Sequence, residues 1–140
     1  MLACEVTFER LAGWRVIAES SALDTVAWAP DATPVRISPD DAFVIGGPAP
    51  GLSDPHAIVT PEHGFVGAAL TATELDHLAT HHIEWSLPAT LPALAQGQIA
   101  GVPAKLVLHA DGSARLLVAT AAHHEMADRI GATPATGGTR

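Results

Sequence analysis

Two aliphatic runs, Lys105 to Ala110 and Ala114 to Ala119, flank the dipeptide Asp111-Gly112. Asp-Gly between such runs is a strong hairpin signal, because a two-residue turn needs positive φ at both positions. The register it predicts sets Ala110 opposite Ser113, Leu108 opposite Arg115, Val107 opposite Leu116 and Leu106 opposite Leu117. Aliphatic residues then fall on both faces of the ribbon, which is expected to be covered on both sides. The wider stretch from Leu94 to Ile130 reads as a short strand, this hairpin's two strands and a closing helix. Thr120 is the expected N-cap of that helix, Ala122, Met126 and Ile130 its apolar stripe, and Glu125 and Arg129 an i,i+4 ion pair. Gly131 ends it.

Upstream, Val35 to Ser38 and Ala42 to Ile45 are strand-like runs around Ser38-Pro39-Asp40-Asp41. Pro presets φ at the second turn position, and the two carboxylates are expected to bond nearby amides. Residues 46–55, GGPAPGLSDP, hold too much Gly and Pro for regular structure. His56 to Thr60 and Phe65 to Leu70 are expected to pair around Pro61-Glu62-His63-Gly64. Thr71 and Glu74 make a capping-box pattern ahead of Leu75, Leu78, Ala79 and His82 at helical spacing, which predicts a helix over residues 72–82. Pro88 and Pro92 break the following segment, an extended crossover carrying Trp85 back to the sheet.

The order strands, helix, strands, helix predicts an α+β fold: a mainly antiparallel sheet with two covering helices, ferredoxin-like or a close variant. The expected organisation is an N-terminal arm over residues 1–30, a single α+β domain over 31–131 and a disordered tail over 132–140. Trp14 and Trp28 in the arm, and Trp85 in the crossover, are candidate anchors for a partner, since large rings on weakly structured segments often serve that purpose. Packing onto this domain's own core is the competing reading.

Composition sharpens this picture in one respect. Apolar residues make up 48% of the 140-residue chain and charged residues 16%, against a usual charged share of roughly 25%. So apolar a surface is expected to be covered by another protein. Fifteen carboxylates stand against seven Lys and Arg with no basic cluster, which argues against a nucleic-acid partner. The lone Cys4 makes no internal disulfide, the N-terminus lacks the basic and apolar regions of a signal peptide, and no apolar run is long enough to span a bilayer. A soluble cytoplasmic protein is expected.

The eight histidines are the one over-supplied reactive group. Glu74, His77 and His81 share a helical face, but the HExxH pattern needs a Glu directly after its first His, and here Leu78 follows His77. The histidines are therefore expected at the solvent or in an interface, and no metal site is predicted. Cys4 has no catalytic companion and no Gly-x-Ser-x-Gly elbow occurs. With Tyr absent, Glu62, Asp76 and the histidines remain as groups able to move protons. No catalytic residue is predicted.

The run Arg36-Ile37-Ser38-Pro39-Asp40-Asp41-Ala42-Phe43-Val44-Ile45-Gly46 resembles the turn and hydrophobic strand of sarcosine oxidase gamma subunits. The run from Ala95 to Leu108, followed by Ala114-Arg115-Leu116-Leu117-Val118 and the alanine-rich helix, is similar to that family's ending, so the likeness spans roughly Val35 to Ile130. The resemblance implies a fold related to the folate-binding module of the glycine-cleavage T-protein. It implies a small, non-catalytic assembly subunit of a heteromeric flavin-dependent amine oxidoreductase, whose larger flavoprotein subunits hold FAD, FMN, NAD and tetrahydrofolate while this chain holds no cofactor. The 48% apolar composition with few charges, the ribbon aliphatic on both faces and the tryptophans of the arm predict that the chain is stable and soluble only when bound to such partners. A free-standing folate- or small-molecule-binding protein of the same fold is the alternative.

Overall fold

The computed structural model describes residues 6–136, so Cys4 and the last four residues of the expected tail lie outside the described residues. The fold is α+β, with two antiparallel sheets and short helices. It divides into two compact units, one of them Leu11–His63 and the other made from the chain on either side of that segment.

The larger unit holds a five-stranded sheet in the order β1 (Glu9–Arg10), β6 (Phe65–Leu70), β9 (Ala114–Ala119), β8 (Val102–Leu108) and β7 (Ala93–Ile99). Alternation along β8 sends Val102, Ala104, Leu106 and Leu108 to one buried face, where they meet Ala114, Leu116 and Val118 of β9. Helix α2 (Ala72–His82) adds Leu78 to this core, and α3 (His123–Ile130) adds Met126, Ala127 and Ile130, so both helices cover the same sheet face. Burying a side chain such as Leu106 or Leu116, each 0% exposed, contributes about 2 kcal/mol.

The hairpin forms, but one residue out of the predicted register. Leu106 faces Leu116, Val107 faces Arg115 and Leu108 faces Ala114. The loop has three residues, not two. The His109 N–H donates to the Ser113 carbonyl (2.9 Å), and the Gly112 N–H donates back to the His109 carbonyl (3.1 Å) with Gly112 at φ 92°. This is a turn closed by a left-handed glycine, the alternative that Asp-Gly also serves. Asp111 fixes it by accepting from the Ser113 N–H and hydroxyl (2.9 and 2.6 Å). The shift gathers the β8 and β9 core residues on one face and leaves Lys105, Val107 and Arg115 half-buried on the other, where Leu117 is fully buried.

The smaller unit is a four-stranded sheet in the order β3 (Thr33–Ser38), β4 (Asp41–Ile45), β2 (Gly13–Ile17) and β5 (Ile58–Glu62). The predicted β3–β4 hairpin is present. The pairing expected between the strands either side of Pro61-Glu62 is not: β5 pairs with β2, while β6 pairs with β1 and β9. The sequence between Gly13 and Ile17 has its charge at Arg15 and so reads as a weak strand, yet it lies between two partners. One face of this sheet buries Val16, Ala42 and Val44 with Ala22 and Leu23 of the short helix α1 (Ser20–Asp24).

The described part of the expected arm thus contributes strands to both sheets, with Glu9–Arg10 on one and Gly13–Ile17 inside the other. Composition hid this because charged residues interrupt each strand. The Gly- and Pro-rich loop is tied back by Asp54, whose carboxylate accepts from the backbone N–H groups of Glu19 (2.9 Å) and His56 (2.8 Å). These two bonds hold the Asp54 carboxyl below the ordinary carboxylate range. Part of the expected tail is also ordered: Thr133 exchanges backbone hydrogen bonds with Val6 and Phe8 (both 2.9 Å). Thr120 is not the N-cap of α3; it opens a 3-10 turn, Thr120–Ala122, and its N–H donates to the Gly64 carbonyl (2.8 Å). No helix among the described residues is long and apolar enough to cross a membrane.

Candidate functional site

Three places gather polar side chains. In the smaller unit, Arg15 on the central strand β2 has Thr60 on one side and Phe43 on the other. Asp41 and Glu62 lie diagonally on the same face, within reach of a long side chain. Arg15 donates through Nε and Nη2 to Asp41 Oδ1 and Oδ2 (2.6 and 2.7 Å) and through Nη1 to Glu62 Oε1 (3.2 Å). The Asp41 hydrogen bond is the main reason that the Arg15 guanidinium is held even more firmly in its charged form. Of the two adjacent acids expected to serve the turn, Asp40 does so by accepting from the Ser38 hydroxyl (2.9 Å), whereas Asp41 belongs to Arg15. Glu62, a sequence candidate for proton transfer, is likewise engaged by Arg15. A fork-to-fork pair of this kind orients strands; its carboxylates are occupied.

The second place is the histidine face of α2. The His77 and His81 rings stand 4.5 Å apart between centroids, and those of His81 and His82 6.3 Å. Glu74 does not join them, because its Oε1 accepts from the Thr71 N–H (2.9 Å) while the Thr71 hydroxyl accepts from the Glu74 N–H (3.1 Å), completing the predicted capping box. Among the described residues, no group of three His, Cys, Asp or Glu side chains is arranged to hold a metal. Burial, then the neighbouring His81 and His77, push His82 below its ordinary pKa. The adjoining cleft, lined by Val6, Leu70, Glu74, His77, Leu78, His82 and Ile130, offers about 10 Å³, room for roughly one water.

His123 departs from the expectation of solvent or interface histidines: it is 3% exposed. The Ala135 N–H donates to its Nε2 (3.1 Å), so Nε2 is an acceptor, and Nδ1 must carry the proton that it shares with the Thr120 carbonyl (2.8 Å). Edge contact with Phe8 completes its surroundings. It fastens residues 132–136 to the start of α3. A polar ring three residues beyond Thr120 carries no sequence signal for burial, because its Nε2 partner comes from the returning chain and its ring contact from Phe8.

The third place is an open recess of about 250 Å³ in the larger unit, lined by Ala69, Leu70, Thr71, His109, Ser113, Ala114 and Arg115. Sequence reading missed it, since its residues come from β6, the cap of α2 and both arms of a hairpin whose register was displaced. Asp76, the other sequence candidate for proton transfer, lies exposed on α2, away from both pockets.

All three candidate anchors are half-buried within their own units. Trp14 and Trp28 pack against the core of the smaller unit, and the Trp14 Nε1–H donates to the Gly47 carbonyl (3.1 Å). Trp85 packs against the larger core, lies over Gly97, and donates from Nε1 to the Gln98 carbonyl (2.8 Å). The large apolar residues that are exposed lie elsewhere: Ile17 (37%), Ile58 (57%) and Leu91 (38%). Ile17 and Ile58 are directly opposite on β2 and β5. No protein-family model matches this chain, and no curated protein matches it either.

Proposed function

We propose that this chain is a small, non-catalytic subunit of a heteromeric flavin-dependent amine oxidoreductase resembling heterotetrameric sarcosine oxidase. The observation that carries the reading is the Ile17–Ile58 pair, two large apolar side chains side by side on the inner strand β2 and the edge strand β5 of the smaller sheet. Strand β5 is an edge strand, and an apolar edge left open invites association. The resemblance of residues 36–46 and 95–118 to sarcosine oxidase gamma subunits supplies the kind of partner. In this reading FAD, FMN, NAD and tetrahydrofolate reside on the larger flavoprotein subunits, and the assembly works in the cytoplasm, where a lone thiol such as Cys4 stays reduced. Trp14, Trp28 and Trp85, each half-buried in its own unit, serve as partner anchors in this reading.

Co-expression with the flavoprotein genes that neighbour its own tests this. The expected result is co-elution of the chain with protein showing flavin absorbance. A chain that elutes alone from such a mixture overturns it. The alternative, a free-standing folate- or small-molecule-binding protein, is favoured by the recess beside Arg115; a monomer that binds a pterin by itself would select it.

A further inference from the structure

We infer that the recess beside Arg115 is a binding site for a small aliphatic carboxylate. Its construction follows from register. Arg115 on β9 faces Ala69 on β6 and Val107 on β8, so short side chains flank a long one and leave space over the sheet. His109 and Ser113, the last facing positions before the hairpin loop, stand on the same side as Arg115, and Thr71 closes the recess at the cap of α2.

The charge pattern points to the ligand. In this carboxylate-rich chain, Arg15, Arg36 and Arg129 each have a carboxylate partner within the structure. Arg115 has none among the described residues, although it is only half-exposed and borders a recess of about 250 Å³. A planar guanidinium fork matches a carboxylate with two parallel hydrogen bonds. The Thr71 hydroxyl accepts from the Glu74 N–H, which leaves its own proton to donate, and the His109 ring adds a further polar edge. The Ser113 hydroxyl proton is spent on Asp111, and that bond with the Ser113 N–H holds the Asp111 carboxylate at the turn. Ala69, opposite Arg115, gives an apolar wall for a short hydrocarbon part. The volume falls below the roughly 300 Å³ at which drug-sized ligands begin, which selects a short acid.

Titration calorimetry of the full chain, in whatever assembly it purifies, with propionate, succinate and inorganic phosphate as probes, tests the inference. Saturable binding of propionate or succinate at one site per chain is expected, with phosphate at least tenfold weaker. Arg115→Gln should weaken the carboxylate at least tenfold. Ala69→Leu, which fills the recess and keeps the charge, should do the same, while Arg129→Gln leaves binding intact. Absence of saturable binding, equal binding to either recess variant, or phosphate binding as tight as the carboxylate would overturn the assignment. The outcome is independent of whether flavoprotein partners co-elute.

Discussion

Arg15 and Arg36 place the same group in different surroundings, and their variants should differ accordingly. Arg15 engages Asp41 through two bonds, with the carboxylate side chain only 18% exposed, whereas Arg36 meets an Asp24 that is 63% exposed. Removing Arg15 strands partly desolvated acids, so Arg15→Met should cost about 2 kcal/mol in urea unfolding, against less than about 1 kcal/mol for Arg36→Met. Nothing in the sequence pairs Arg15 with Asp41, because they stand 26 positions apart with α1 and β3 between them in the chain. His82 gives a second test. Its folded-state pKa is depressed below the ordinary 6.5, so the unfolded chain takes up more protons as pH falls through that value. Its stabilising contribution is therefore complete above about pH 6.5 and lost as the pH falls through the folded midpoint. An NMR titration should place the His82 midpoint below 6.5; a midpoint at or above it contradicts the burial argument.

At the scale of elements, the α2 capping box and the existence of the hairpin survived as local signals, whereas Thr120 as the cap of α3 and the pairings that needed a distant partner did not. The capping box of α2 was legible because Thr71 and Glu74 sit three apart and answer only to each other's backbone. Thr71→Ala should cost about 1 kcal/mol of stability, read from the thermal midpoint, and an unchanged midpoint would show the box to be idle. The Asp111-Gly112 hairpin was legible as a hairpin, but its register depended on whether one or two residues precede the glycine in the loop, which Asp111's bonds to Ser113 decide. The place of β2 between β4 and β5, and the recess, were not legible, since each depends on segments far apart in the chain. The crossover offers a further test. A Cβ at Gly97 would lie 2.7 Å from the Trp85 indole, a rigid ring. Gly97→Ala should displace that ring from the Gln98 carbonyl and cost roughly 1–3 kcal/mol by overpacking, with a red-shifted Trp emission. Unaltered emission and stability would show the indole to be loosely held.

For the whole molecule, the apolar composition has two destinations. Much of it fills the two cores, against which the half-buried tryptophans pack. Part of the remainder surfaces at the Ile17–Ile58 pair, on which the subunit proposal rests. A specific complex ordinarily covers about 800 Å² on each partner, and an apolar anchor at its centre contributes about 2 kcal/mol or more. The most direct measurement is the mass, by light scattering after size exclusion, of the species that holds this chain when it is co-expressed with its neighbouring flavoprotein genes. The account predicts a hetero-oligomer for the wild-type chain and release of a free chain for Ile58→Asp. A wild-type chain that runs at its own 14.4 kDa in the presence of those partners would contradict it.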